Sequence, residues 1–175
     1  MNREEIASLV QTQRDFFATG ETLPIKKRIN ALKKLKTALE KNQDRLAEAL
    51  KTDLGKSEFE SYMCEIGMAL SEISYLLKHI RSYAKNKRVS TPLAQFASKS
   101  YVKPCPYGVT LIMSPWNYPL LLTVDPLSTA IAAGNTAVVK PSAYSPATSA
   151  LLVVVEPISA INTSACMAFS QWNGF

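Results

Sequence analysis

The apolar residues of this chain change period near its middle. Up to about residue 84 they recur every three or four positions. Ile6, Leu9 and Val10, extended by Phe16 and Phe17, mark an amphipathic helix over Asn2 to about Thr19, with Gly20 as its stop. Thr22-Leu23-Pro24 then opens one long helix, along which Ile25, Ile29, Leu32, Leu35, Leu39, Leu46 and Leu50 keep helical spacing. Asp53-Leu54-Gly55-Lys56 breaks it, with Gly55 expected in the left-handed conformation. Ser57 and Glu60 form a capping-box pattern for a third helix, whose stripe runs Phe59, Met63, Ile66, Leu70, Ile73, Leu77 and Ile80.

Beyond the basic connector Lys85 to Pro92 the runs become continuous. Residues 93–100 are indistinct, Ser100 to Lys103 suits a short strand, and Pro104-Cys105-Pro106 makes a rigid loop. Val109 to Met113 is an apolar run of strand length, ended by Ser114-Pro115-Trp116-Asn117. An apolar helical pattern follows Pro119. After Gly134-Asn135 comes a second strand, Thr136 to Val139, stopped by Lys140-Pro141-Ser142. Strand, helix, strand is a βαβ unit. Ser145 is then the expected N-cap and Pro146 the first residue of a helix reaching about Val155, which Glu156-Pro157 ends or kinks. The fold class expected is α/β: a helical N-terminal region, 1–98, followed by the first βαβα of a Rossmann-like domain, 99–156.

Charge sharpens this division. The formal net charge is +6, yet after Pro104 only Asp125, Lys140 and Glu156 are charged. So charge-poor a surface is expected to pack against something more. The basic run on the long helix (Lys26, Lys27, Arg28, Lys33, Lys34, Lys36) has no interleaved aromatic residue and no nucleic-acid motif, so it reads as a solvated face. The lone His79 lacks a catalytic partner nearby. Cys64, Cys105 and Cys166 show neither metal nor disulfide spacing, and a reducing, cytoplasmic setting is expected. The apolar stretch 147–169 is interrupted by Glu156-Pro157, which argues against a membrane span.

In open α/β sheets ligands sit beyond the carboxyl ends of the strands. Both polar clusters fall there. Asn117 offers a neutral amide donor, able to hold a developing oxyanion or equally to bond its own turn. Lys140 stands where a Rossmann fingerprint has an acidic residue; it could bond ribose oxygens, meet a 2'-phosphate, or simply be a surface lysine. The glycine fingerprint itself is absent after the first strand.

Pro106-Tyr107-Gly108-Val109, Ser114-Pro115-Trp116-Asn117-Tyr118-Pro119 and the run Ala132 to Ser142 together resemble the aldehyde dehydrogenase superfamily. Asp53-Leu54-Gly55-Lys56-Ser57-Glu58-Phe59 and Glu65-Ile66 resemble its class 3 and fatty-aldehyde branch. The resemblance covers roughly residues 3–155. It implies NAD(P)-dependent oxidation of an aldehyde to an acid through a cysteine thiolate, and a homodimer for the complete enzyme. It implies that Asn117 helps hold the oxyanion, that Ser114 and Trp116 line the cofactor channel, and that Lys140 and Ser142 meet the adenosine ribose.

Three departures qualify it. The family usually has Glu after Lys-Pro-Ser, where this chain has Ala143; losing that charge favours NADP. The glutamate base and nucleophilic cysteine motifs do not occur in these residues. The tail 157–175 does not look like the family and has the character of a shifted reading frame or truncated copy. The expectation is therefore a chain inactive by itself, which alone is aggregation-prone or folds only in its helical half, or else a non-catalytic fragment that pairs with a full-length relative.

Overall fold

The structure, a computed structural model, describes residues 2–154 and the strand 167–169. Its elements in order are α1 (Arg3–Ala18), α2 (Ile25–Lys41), α3 (Gln43–Leu54), α4 (Glu58–Ser61), a π-helical turn (Tyr62–Ile66), α5 (Gly67–Tyr83), β1 (Lys87–Val89), β2 (Ser100–Val102), β3 (Val109–Met113), α6 (Leu121–Ala133), β4 (Thr136–Lys140), α7 (Pro146–Val154) and β5 (Met167–Phe169). β1 and β2 form an antiparallel pair. The parallel sheet has the order β3-β4-β5, with Val109 opposite Thr136 and Met113 opposite Lys140.

Two expectations are corrected. The long helix is two helices. Asn42 ends α2, its side-chain amide donating to the Ala38 carbonyl, and Leu46 N bonds back to the Asn42 carbonyl to begin α3. Asparagine competes for backbone partners in this way, but the apolar spacing runs on across the break. The stripe of the third helix holds only from Ile66 onward; Phe59 and Met63 are exposed. In the π turn Gly67 N bonds to the Tyr62 carbonyl, five residues back. The added residue rotates the preceding turn by about 100°, and Ser61 and Glu65 take the inward positions instead. A Cβ on Gly67 would lie 2.9 Å from that Tyr62 carbonyl, so glycine suits the site. Within the tail, β5 pairs in parallel with β4, Ala137 opposite Met167. The rest of the tail, Cys166 included, lies outside the described residues.

Other signals held. Gly55 is left-handed, and Ser57 Oγ accepts from Glu60 N at 3.2 Å. One hydrophobic cluster runs from Leu32 of α2 through Leu46, Ile73 and Leu127 to Leu152 of α7, so the helical region and the βαβ unit share a core. Arg28 ties the start of α2 to the end of α6: its guanidinium donates to the carbonyls of Thr22 (2.9 Å), Leu23 (2.6 Å) and Ala132 (3.3 Å). Its burial lowers its pKa from the ordinary arginine value. At the entry to the sheet, Gly108 N donates to Asn135 Oδ1 at 3.0 Å and Thr136 N to the Gly108 carbonyl, fixing the register of β3 on β4. α6 covers one face of β3, burying Ile112. On the other face Leu111 and Met113 are exposed.

Candidate functional site

The carboxyl ends of β3 and β4 are joined. Ser114 N donates to the Lys140 carbonyl at 3.1 Å, extending the ladder by one bond and bringing the two polar clusters of the sequence together. Ser114 Oγ lies 2.6 Å from Thr123 Oγ1, which is itself 2.5 Å from the Pro119 carbonyl. A carbonyl can only accept, so the Thr123 hydroxyl gives its proton to Pro119 and accepts from Ser114. This closes the turn onto the first residues of α6.

Pro115 and Pro119 bracket the turn and limit its backbone freedom. Trp116 and Asn117 are exposed. The Asn117 amide makes no hydrogen bond among the described residues, which removes the alternative that it only satisfies its own turn. Beneath it lie Glu65 and Lys56, two residues of the segments that resemble the class 3 branch. Glu65, wholly buried, accepts from Leu120 N (2.9 Å) and Leu121 N (3.1 Å) through Oε2, and from Lys56 Nζ (2.5 Å) through Oε1. A carboxylate at a helix N-terminus satisfies free amides and complements the helix dipole. The Lys56 ammonium also lies 3.4 Å from the Asn117 carbonyl and 4.1 Å from the centre of the Tyr118 ring.

At the second strand end Lys140 is half-buried and its ammonium has no hydrogen bond or ion pair among the described residues. Ser142 is buried; its hydroxyl accepts from Tyr144 N at 3.2 Å and its carbonyl accepts from Ser149 Oγ at 2.8 Å. Ala143 is exposed. Ser145 holds the expected N-cap position, its carbonyl accepting from Ser149 N at 3.0 Å, but its buried hydroxyl makes no hydrogen bond among the described residues, so its side chain does not cap α7. Asp53 takes that place from the end of α3, accepting from Ala147 N at 3.0 Å and Thr148 N at 2.7 Å.

A cavity of ≈ 500 Å³ opens between α1 and the uncovered face of the sheet, with Leu111, Met113 and Val138 on its floor and Arg14 and Lys140 among its walls. Neither described thiol makes a hydrogen bond to the strand ends. Cys64 is half-buried in the π turn, and exposed Cys105 faces the Lys103 carbonyl at 3.7 Å. His79 lies between Tyr75 and Tyr83 on α5, ring centroids 4.4 and 6.0 Å away. Among the described residues no helix is long and apolar enough to cross a membrane.

Asp53, Lys56 and Glu65 stand in the segments that resemble the class 3 branch, but their contacts with the turn and helix starts, like that of Thr123, were not legible, because 55 residues separate Glu65 from Leu120 and 61 separate Lys56 from Asn117.

The 4,4'-diaponeurosporen-aldehyde dehydrogenase of Staphylococcus aureus is 47% identical over 131 residues, 75% of this chain and 28% of that protein. Aldehyde dehydrogenase family 3 member B1 of Bos taurus is 40% identical over 154 residues, 88% of this chain and 33% of its own length. The chain thus spans about a third of the length of these curated relatives. Among solved structures, the substrate-bound AldH of Staphylococcus aureus superposes with a TM-score of 0.89 at 39% identity, covering 97% of this chain and 36% of that one. A glyceraldehyde-3-phosphate dehydrogenase of Methanocaldococcus jannaschii, complexed with NADP, shares the fold at a TM-score of 0.83 and 21% identity, over 97% of this chain and 36% of its own. The sequence model of the aldehyde dehydrogenase family matches residues 1–158, and the chain belongs to that family.

Proposed function

We propose that residues 99–156 open the cofactor-binding half of an enzyme that oxidises an aldehyde to a carboxylic acid with NAD(P), and that residues 1–98 hold it in place. The observation that carries this reading is the free Asn117 amide, set on a turn fastened from below beside the end of β3 in a chain of this family. Its NH2 donates to the negative oxygen that forms when a thiolate adds to the aldehyde carbon. A neutral donor already in position stabilises that charge without reorganising at the moment of reaction. Ser114 and Trp116 shape the channel at the same strand end.

The residues at the second strand end fit the adenosine side of the cofactor. Lys140 has an unpartnered, half-buried ammonium able to donate to ribose oxygens. Ser142 orders the loop around it. With Ala143 in place of a carboxylate, a 2'-phosphate meets no like charge there, which favours NADP. When bound, NAD(P) supplies the hydride acceptor. Cys64 and Cys105 take no part in this scheme.

A chimaera carrying residues 1–154 in place of the matching stretch of the Staphylococcus aureus relative tests the reading. It should oxidise aldehydes with NAD(P), and Asn117→Ala within it should lower kcat by about 10²–10³. A folded but inactive chimaera, or an undiminished Asn117→Ala, would overturn it. A second reading, an interaction fragment pairing with a full-length relative, is supported by exposed Leu111 and Met113 on the sheet face. Loss of an intact relative's activity on co-expression would favour it.

A further inference from the structure

We infer that Lys56 is a positioning residue for the turn that presents Asn117, acting through the Asn117 backbone carbonyl. The inference rests on the reading of Asn117 given above. Its basis is a hydrogen-bond count along the turn. Ser114 N bonds to β4, and the Tyr118 carbonyl accepts from Leu122 N at 3.0 Å. Between them, the backbone of Pro115, Trp116 and Asn117 has one hydrogen bond among the described residues, the one from Lys56 Nζ to the Asn117 carbonyl. Pro115 has no N–H to offer, and the Trp116 and Asn117 side chains face solvent. Among the described residues no other hydrogen bond fixes the peptide that follows Asn117.

Lys56 is itself held firmly. Its side chain is 9% exposed and that of Glu65 0%. The ammonium has three partners: the Glu65 carboxylate, the Asn117 carbonyl and the face of the Tyr118 ring. An ammonium buried this far persists only when so paired, and the cation–π contact adds to its confinement. Glu65 uses its other oxygen on Leu120 N and Leu121 N, so one carboxylate sets both the start of α6 and, through Lys56, the turn before it. The Asn117 amide is thereby placed relative to the rigid helix rather than by the loop's own preference. Positioned groups of this kind need such support to stay within a fraction of an ångström of their task.

The test uses the whole chain with Trp172→Phe, leaving Trp116 as its single tryptophan. In Lys56→Met, the amplitude of local motion of Trp116, read from its fluorescence anisotropy decay, should rise about two-fold while far-UV circular dichroism stays native. Leu46→Ala, which opens a cavity in α3 away from the turn, should lower stability and leave that amplitude unchanged. Equal amplitudes in Lys56→Met and the parent, or an equal rise in Leu46→Ala, would overturn the inference. Should Lys56→Met not fold, the unmodified chain still decides. Its Lys56 ammonium should give a slowly exchanging NMR signal shifted by the Tyr118 ring, and Tyr118→Leu should abolish the shift. A Lys56 ammonium exchanging as fast as that of Lys33 would overturn the inference. The two readings fail separately. An inactive chimaera with the Trp116 response intact removes the aldehyde reading alone. An active chimaera without that response removes the role of Lys56 alone.

Discussion

Asp53 and Thr148 are 95 residues apart in sequence and 2.7 Å apart in space, the Thr148 amide donating to Asp53 Oδ2. The other oxygen of the same carboxylate accepts from Ala147 N. The C-terminal end of α3 thus supplies the cap that Ser145 does not. Asp53→Ala should destabilise the chain by about 1–2 kcal/mol, the usual range for loss of a helix cap. Urea unfolding followed by circular dichroism measures this. Ser145→Ala should be close to neutral, since its hydroxyl has no partner to lose. The reverse order would assign the cap to Ser145.

Asp125 predicts a pH dependence. It is half-buried in α6 with one carboxyl oxygen shielded and unpartnered. Burial first, and the charge of Glu72 second, push its pKa from 3.8 up to about 6. The folded chain therefore holds this proton more tightly than the unfolded one. The stabilisation is full below about pH 4 and is lost as pH rises through about 6. Asp125→Asn should be the more stable above pH 6, by roughly 1 kcal/mol once the partial exposure of the group is allowed for, and should gain nothing at pH 4. Unfolding midpoints of the two proteins across pH 4–8 show whether the curves converge on the acid side.

Gly134 is a steric prediction. It ends α6 at φ 90°, and a Cβ there would lie 2.7 Å from Arg28 Cζ. The guanidinium cannot simply swing aside, because three carbonyls hold it. Gly134→Ala should lower stability by about 2 kcal/mol or more, combining backbone strain with displaced hydrogen bonds. Arg28→Ala in the same background should recover the steric part, giving a non-additive cycle.

Ala143 bears on cofactor choice. In the chimaera described above, Ala143→Glu should shift preference from NADP toward NAD by about tenfold, the size of one exposed like-charge contact. Steady-state kcat/KM for the two cofactors measures it. An unchanged ratio would mean that this position does not face the 2'-phosphate.

The two strand ends were legible because their signals are local. Val109 to Met113 and Thr136 to Val139 are uninterrupted apolar runs stopped by proline-bearing turns; the first is a strand with the expected bounds, and the second runs one residue further, to Lys140. The breaks at Asn42 and at the π turn were not legible. Both depend on a single local hydrogen-bonding detail that leaves apolar spacing almost undisturbed, so Phe59 and Met63 fitted a stripe they do not join. Lys56, Glu65 and Asp53 were hidden for another reason. Lys56 and Glu65 pair with each other nine residues apart, but the Asn117 carbonyl and the Leu120 and Thr148 amides that these three charged residues hold lie more than fifty residues away.

The two carboxylates that start α6 and α7 have a consequence for the order in which the chain assembles. Glu65 and Asp53 both belong to the part of the chain synthesised first. Neither crossover helix completes its own amino end, so each waits for a surface made earlier. Chains emerge from the ribosome amino end first and fold in units. The helical region can therefore act as a template on which the parallel sheet is laid down strand by strand. Parallel pairing is slow because distant segments must meet before any contact forms. Here the meeting places are already built when β3 arrives.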